Sequence, residues 1–502
     1  MAFASMKFLL FLLVAVLGYY LIPKRFQWIW LLVFSYVYYL FSGVKLLFFL
    51  LFTTLTTYGA GRLIGAMGED KKRKRRILIL GLLLNFGMLG VLKYTNLAVV
   101  SINHLFGTDL PFADFLLPLG ISFYTFQSMG YLMDVYWGRF EPEKNPFRFA
   151  LFVSFFPQIM QGPIGRYNRL ACQLYESHKF DWTKMERGCQ LILWGFFKKM
   201  VLADNAAIFV NAIFDDYQTY SGLSIAGVLL YSIQLYGDFS GGMDVVMGVA
   251  NFFGIQLDEN FKRPYFARSI TDFWHRWHIT LGTWMKDYVF YPVSLSRPMG
   301  KFGKFAKKRL GKQLGRTLPI CIANVVVFLV VGIWHGAAWK FIAYGLYNGL
   351  IIGVSGLLAK QYRSWKKKLH IDDKVPWFVL FQILRTFLLV NISWFFDRGN
   401  TVGQALTMFK NAWTKTDWSM LLEINTSAGG NTYTAMILGV ILFGCLILFV
   451  VSLFQERGVK IRESLSHRPL ILRFAVYLVL LFSLSAIGQM PLSSGGFIYA
   501  QF

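Results

Sequence analysis

The stretch Val330-Val-Gly-Ile-Trp-His-Gly-Ala-Ala-Trp339 places one histidine, His335, in the middle of an apolar tract running from residue 317 to 358. A membrane helix needs about 20 mostly apolar residues. The tract is long enough for two, and it reads as a hairpin of two spans with His335 near its apex. Both flanks are basic: residues 297–316 carry eight Lys and Arg and no acid, and residues 360–374 carry six against two aspartates. Segments rich in Lys and Arg stay in the cytoplasm, so both ends of the hairpin are expected to face in. Gly332 and Gly336 permit close helix contact or a break beside the histidine. An ionisable group in such surroundings is rare, and is a functional candidate for that reason.

The rest of the chain has the same character. Of 502 residues, 56% are hydrophobic, 18% are aromatic and only 15% are charged, against roughly 25% charged in an average soluble domain. Those figures exclude a disordered chain, a collagen and a coiled coil. Apolar runs lie near 6–22, 26–42, 44–66, 77–93, 147–165, 189–213, 223–253, 317–336, 338–358, 376–396, 432–454 and 470–490, with a weaker one at 112–137 interrupted by Pro118 and Gly120. They predict an all-α polytopic membrane protein with roughly 11–13 transmembrane or re-entrant helices. The first run leads straight into Pro23-Lys24-Arg25 and a second run, so it is expected to be a retained helix. The net charge of +25 is not the footprint of a nucleic-acid binder, because it collects in short segments: the unbroken run Lys71–Arg76 and the two flanks above. These orient the chain and meet anionic lipid, and they place both termini outside. The four cysteines, Cys172, Cys189, Cys321 and Cys445, form neither a disulfide framework nor a zinc pattern.

A second polar island is Ser269-Ile-Thr-Asp-Phe-Trp-His-Arg-Trp-His278, continuing to Tyr288. Thr271 is a candidate N-cap for a helix reaching about Val289. His275 and His278, three apart, would then share a face. Such a helix is too polar for lipid, so it lines a protein or water-filled cavity, or lies at the interface. The pair has no third ligand at a fixed spacing, and no metal site is expected. A third island, Gly237-Asp-Phe-Ser-Gly-Gly-Met-Asp244, places carboxylates among glycines and suggests a broken helix along a cavity. Phe156-Pro-Gln-Ile-Met-Gln-Gly-Pro-Ile-Gly-Arg166 reads as a proline-broken segment. No P-loop, dinucleotide fingerprint or nucleophile elbow occurs. A neutral imidazole at His335 has the chemistry of a general base. A transporter or flippase would also account for spans, broken helices and basic segments, but it should show internal duplication, and none is visible.

Taken in order, these islands resemble the membrane-bound O-acyltransferase family, in particular its bacterial branch. The residues that carry the resemblance are Phe156-Pro157, Gly162-Pro163-Ile164, Asp238-Phe-Ser-Gly241, Asn260-Phe-Lys-Arg-Pro-Tyr265, Phe273-Trp-His-Arg-Trp-His278, Trp284, Asp287-Tyr288, Trp334-His-Gly336 and the tail Phe497–Phe502. The resemblance extends from about residue 110 to the end. It implies one membrane-embedded acyltransferase domain over 1–502, with peripheral helices in 1–110, a catalytic core in 111–358 and C-terminal helices in 359–502. It further implies helices in a ring around a central cavity, with His335 as the essential histidine and His278 as its upstream polar partner. Trp334, Arg276, Trp274, Asp238, Ser240 and Asn348 are expected around the cavity. No covalently bound cofactor is expected. The implied donor is a cytosolic acyl thioester, either acetyl-CoA or a phosphopantetheine-linked acyl carrier protein. Both are anionic, and both suit a docking segment bearing Lys301, Lys304, Lys307, Lys308 and Arg309. The acceptor is an extracytoplasmic polysaccharide, reached with an exported serine-hydrolase-like partner, at the bacterial cytoplasmic membrane. Acetyl transfer is the first reading and D-alanyl transfer to teichoic acid the alternative. The chain departs from the alginate-type pattern at Asn348, where those members often carry a second His-Gly.

Overall fold

The computed structural model describes residues 5–159, 161–424 and 430–488; the tail motif 497–502 lies outside them. Among the described residues the secondary structure is helical apart from one isolated antiparallel bridge, Phe261 to Trp277. The chain divides into two compact units. One comprises Met1–Asp204, Tyr236–Asp258 and Lys460–Phe502, and the other Asn205–Leu235 and Glu259–Val459.

Among the described residues five helices are long and apolar enough to cross a membrane: Val44–Ala66, Lys71–Phe106, Arg297–His335, Pro376–Arg398 and Thr432–Glu456. A sixth span is formed if Trp339–Leu357 and Ala359–Lys368, bent by 57°, are taken together. This is a multi-pass membrane protein, with fewer full-length apolar helices than the 11–13 expected from the runs. The reason is local. The run 147–165 is cut by Pro157 and Pro163 into Pro146–Ser154 and the short Phe156–Ile159. The run 189–213 carries two lysines at its centre and becomes Trp182–Phe196, a π-helical turn Phe197–Ala203 and Asp204–Asp215. Met6–Leu21 and Leu470–Ala486 are apolar but shorter.

In the first unit, Ile121–Tyr136 lies within the weakest of the apolar runs, yet every residue from Ile121 to Val135 is buried. Its Ser122, Thr125, Gln127, Ser128 and Asp134 face protein, where lipid would have penalised them. Tyr131 of this helix packs against Phe149, Tyr167 and Phe140, with ring centroids 4.7, 4.8 and 5.7 Å away. Lys71–Phe106 is different: Leu80, Leu83 and Val91 are exposed, as on a lipid-facing helix. The basic run Lys71–Arg76 is its first turn and a half, not a loop. Six cations there oppose the helix dipole, and Asp70 caps the end by accepting from the backbone N–H groups of Lys72 and Arg73 (3.1 and 3.0 Å).

The second unit is built on the hairpin of Arg297–His335 and Trp339–Leu357. Residues 297–316, the basic flank of the apolar tract, are helical as well. Ser296 caps the start by accepting from Met299 N–H, strong helix formers follow, and the only interruption is Gly311 at φ 87°, a conformation glycine adopts without a side-chain clash. At the other end the two helices touch backbone to backbone. A Cβ on Gly332 would strike the carbonyl of Phe341, and one on Gly345 the carbonyl of Phe328.

Candidate active site

His278 is not in the middle of a helix. Ser269, rather than Thr271, caps Ile270–Arg276 by accepting from Asp272 N–H (3.1 Å), and a second helix, Ile279–Met285, begins after a break. The break is His278 itself, left-handed at φ 47°, ψ 54°. A non-glycine residue holds that conformation only when its surroundings over-determine it, and here they do. A short antiparallel pairing joins Lys262 N–H to Arg276 C=O (2.9 Å) and Ile279 N–H to Asn260 C=O (3.0 Å). Trp277, flanking the break, is clamped by Phe261, Phe273 and Trp394, at 5.0, 5.4 and 5.5 Å between ring centroids. Asn260 Oδ1 lies 3.2 Å from His278 Nδ1 and accepts from Thr280 N–H and Thr280 Oγ1–H, both at 2.9 Å. His278 lies outside the candidate membrane helices. Burial first, then the neighbouring His335 imidazole, hold its ring well below the usual histidine range.

His335 is the last residue of its helix, 1% exposed. Its ring lies 5.1 Å from Tyr344, 5.2 Å from Trp334 and 6.2 Å from Phe341. Nδ1 is 3.7 Å from Oδ1 of Asp397, beyond a direct hydrogen bond but oriented toward the carboxylate. Asp397 is itself held in place: its Oδ2 accepts from Tyr231 Oη–H (2.7 Å) and its backbone carbonyl from the Lys340 ammonium (2.9 Å). Rings connect the two histidines, with His278 5.5 Å from Trp334 and Trp334 5.2 Å from His335. A cavity of about 310 Å³ opens beside His278, lined by Trp274, His275, His278, Lys286, Asn324 and Val331 among others. Trp274 donates through Nε1 to Asn348 Oδ1 (3.2 Å), and Asn348 Nδ2 donates to Tyr344 C=O (3.0 Å).

The second unit thus brings together His278, His335, Trp334, Trp274 and Asn348. Arg276, on the same turn, forms ion pairs with Asp272 (2.9 Å) and Glu456 (3.0 Å), and Glu456 also pairs with Arg263 (2.6 Å). Lys301, Lys304, Lys307, Lys308 and Arg309 are exposed on their helix. Asp238 and Ser240 belong to the first unit and serve two buried lysines there. Lys199 Nζ pairs with Asp238 (2.6 Å) and Asp204 (2.8 Å); Lys198 Nζ pairs with Asp244 (2.9 Å) and donates to Ser240 Oγ (2.9 Å). Their helix, Ser224–Phe252, is continuous where a break was expected. Its glycines serve close packing instead: a Cβ on Gly241 would meet the carbonyl of Gly195. Among the described residues no group of three or more His, Cys, Asp or Glu side chains can hold a metal ion.

Sequence reasoning missed Asp397, Tyr231, Lys340 and Asn260 as parts of the site. Asp397 carried a signal, an ionisable residue at the end of the apolar run 376–396, but beside Arg398 it reads as an ordinary helix end. In the structure Arg398 turns to Asp215 (2.9 Å) instead.

The chain is a polytopic helical membrane protein with two buried histidines, one of them lining a cavity, and comparison with known proteins supplies its class. Residues 143–393 match MBOAT, the membrane-bound O-acyltransferase family. The chain is 34% identical over 427 residues to a protein of Azotobacter vinelandii named "Probable alginate O-acetylase AlgI", covering 84% of this chain and 79% of that one. It is 33% identical over 434 residues to the peptidoglycan O-acetyltransferase of Helicobacter pylori, covering 80% and 77%. It is 31% identical over 293 residues to the teichoic acid D-alanyltransferase of Bacillus subtilis, covering 56% and 68%. The chain belongs to the membrane-bound O-acyltransferase family, and is an acyltransferase enzyme.

Proposed function

We propose that this enzyme moves an acetyl group from a cytosolic thioester across the membrane towards hydroxyls of an extracytoplasmic polysaccharide, working from the bacterial cytoplasmic membrane with both termini outside. The observation that carries the reading is a pair of buried imidazoles, His278 and His335, bridged by Trp334, with His278 lining a cavity of about 310 Å³ that also carries the exposed His275 and Lys286. In the proposed reaction His335 Nε2 takes the proton of the accepting hydroxyl, with Asp397 steadying the imidazolium from Nδ1. The oxygen forms its bond to the thioester carbonyl carbon, the C–S bond breaks, and the departing thiolate takes the proton back from His335. No proton is gained or lost overall. His278 holds the reacting group, and Trp274, Trp334 and Asn348 shape the cavity. The cations Lys301, Lys304, Lys307, Lys308 and Arg309 meet an anionic donor, acetyl-CoA or an acyl carrier protein. An exported serine-hydrolase-like partner completes delivery to the polymer.

Acetyl is favoured over D-alanyl because the O-acetylating relatives cover 80–84% of this chain, and the B. subtilis D-alanyl relative 56%. The test supplies inverted membrane vesicles with either labelled acetyl-CoA or a D-alanyl-loaded carrier protein and measures ester-linked label. Label from acetyl-CoA alone supports the proposal, and label from the D-alanyl carrier alone overturns it. His335→Ala at matched protein level should lower transfer on the order of 10²- to 10⁴-fold.

A further inference from the structure

The hydrogen bonds around Asn260 decide which nitrogen of His278 carries its proton. A backbone N–H can only donate, so the Asn260 atom 2.9 Å from Thr280 N is the carbonyl oxygen, and the amide cannot be flipped without setting two donors against each other. That oxygen is also the atom 3.2 Å from His278 Nδ1. An oxygen acceptor requires a hydrogen on Nδ1. A neutral imidazole has one N–H, so Nε2 carries the lone pair. The arrangement is rigid: Asn260 and His278 are 1% and 2% exposed, and the backbone pairing through Ile279 N–H and Lys262 N–H holds both strands of the turn.

We propose that Asn260 is a positioning residue that locks His278 as its Nδ1–H tautomer, so that His278 accepts a hydrogen bond from the acyl-accepting hydroxyl and does not donate one to the thioester carbonyl. This rests on the acyl-transfer reading above. A lone pair repels a carbonyl oxygen and attracts an O–H. His278 therefore orients the nucleophile, His335 removes its proton, and polarising the thioester falls to N–H or O–H groups other than this imidazole. The left-handed turn at His278 thereby acquires a function: it presents Nδ1 to Asn260 and leaves the opposite edge of the ring for the substrate side.

The protein in nanodiscs, labelled with ¹⁵N-histidine and compared with His278→Asn to assign the signal, reports the tautomer directly. Protonated Nδ1 with unprotonated Nε2 is expected, and the reverse overturns the proposal whatever the substrate proves to be. The kinetic arm uses Asn260→Leu, which keeps volume and removes the acceptor, and Asn260→Asp, which keeps an acceptor oxygen. Asn260→Leu should lower kcat on the order of 10²-fold with little change in KM, as expected of misplacement at a reacting centre, and Asn260→Asp should restore most of it. If Asn260→Leu does not fold, Thr280→Val, which leaves the backbone donor in place, should retain the tautomer and most of kcat. Unchanged kcat in folded Asn260→Leu, or equal loss in Asn260→Asp, overturns the positioning role. Retained transfer in His335→Ala would instead sink the assignment of His335 as the base, and no transfer from any thioester donor by the wild type would sink the acyl-transfer reading, either result leaving the tautomer intact.

Discussion

At the scale of single residues, the candidate site pairs two histidines, each with an oxygen facing Nδ1: Asn260 within hydrogen-bond distance of His278, and Asp397 at 3.7 Å from His335. The partners differ in charge, so their substitutions should differ in kind. In Asp397→Asn the amide oxygen still accepts from Tyr231, and the NH₂ then faces His335 Nδ1, donor against donor. The imidazole is pushed to its other tautomer and loses its basic Nε2. Transfer should fall on the order of 10²-fold or more with the fold retained, as measured by acetyl transfer and melting in the same preparation. His278 also makes stability depend on pH. The folded protein holds this ring neutral, whereas the unfolded chain protonates it near pH 6.5. The unfolded state thus binds more protons on the acid side. The stability associated with the neutral ring is present above about pH 6.5 and is lost as pH falls below that value. The melting temperature of wild type in nanodiscs should drop more steeply between pH 7 and 5 than that of His278→Asn; parallel slopes would refute the assignment.

At the scale of elements, glycine contacts and buried ion pairs do what side-chain packing does in soluble cores. The hairpin carrying His335 closes where Gly332 and Gly345 meet opposing backbone. Gly332→Val should part the two helices and move His335, lowering both transfer and melting temperature, whereas substitution at Gly300, which has open space around it, should leave both unchanged. The π-helical turn Phe197–Ala203 sets Lys198 and Lys199 against Asp244, Asp204 and Asp238. Removing one partner strands a buried charge, a loss of about 3–5 kcal/mol. Lys199→Met should therefore destabilise strongly, and Lys199→Met with Asp238→Asn less so, as read from denaturation midpoints. In both cases the chain uses residue types that look like helix breakers or functional sites. They are distinguishable from such only by what they touch.

At the scale of the whole molecule, the net charge of +25 is unevenly distributed, and from it follow the expected orientation and the proposed docking of an anionic donor. The exposed cations on the helix after Ser296 are expected on the cytoplasmic side. Replacing Lys301, Lys304, Lys307 and Lys308 by Glu should raise the donor KM several-fold and weaken its salt dependence, with kcat nearly unchanged. An effect on kcat alone would argue against docking. Cysteine labelling at Lys74 and Lys304 from either side of sealed vesicles checks the orientation.

The sequence by itself determined the class of molecule and the family, and singled out the two histidines as candidates. Each of these is a matter of composition, or of rare polar residues whose placement in apolar surroundings is visible in one dimension. It also located the His335 hairpin, because a 42-residue apolar tract between basic flanks has few other ways to fold. Only the tertiary structure decided which polar groups serve the site. Asp397 and Asn260 face the histidines across 62 and 18 positions of chain, and the pairing of Asp238 with Lys199 is likewise invisible in one dimension. The breaks were hidden for a related reason. A left-handed histidine at 278 is unfavourable locally and is stable because an antiparallel pairing with residues 260–262 and a clamp of rings on the neighbouring Trp277, two of them from other segments, hold the turn there.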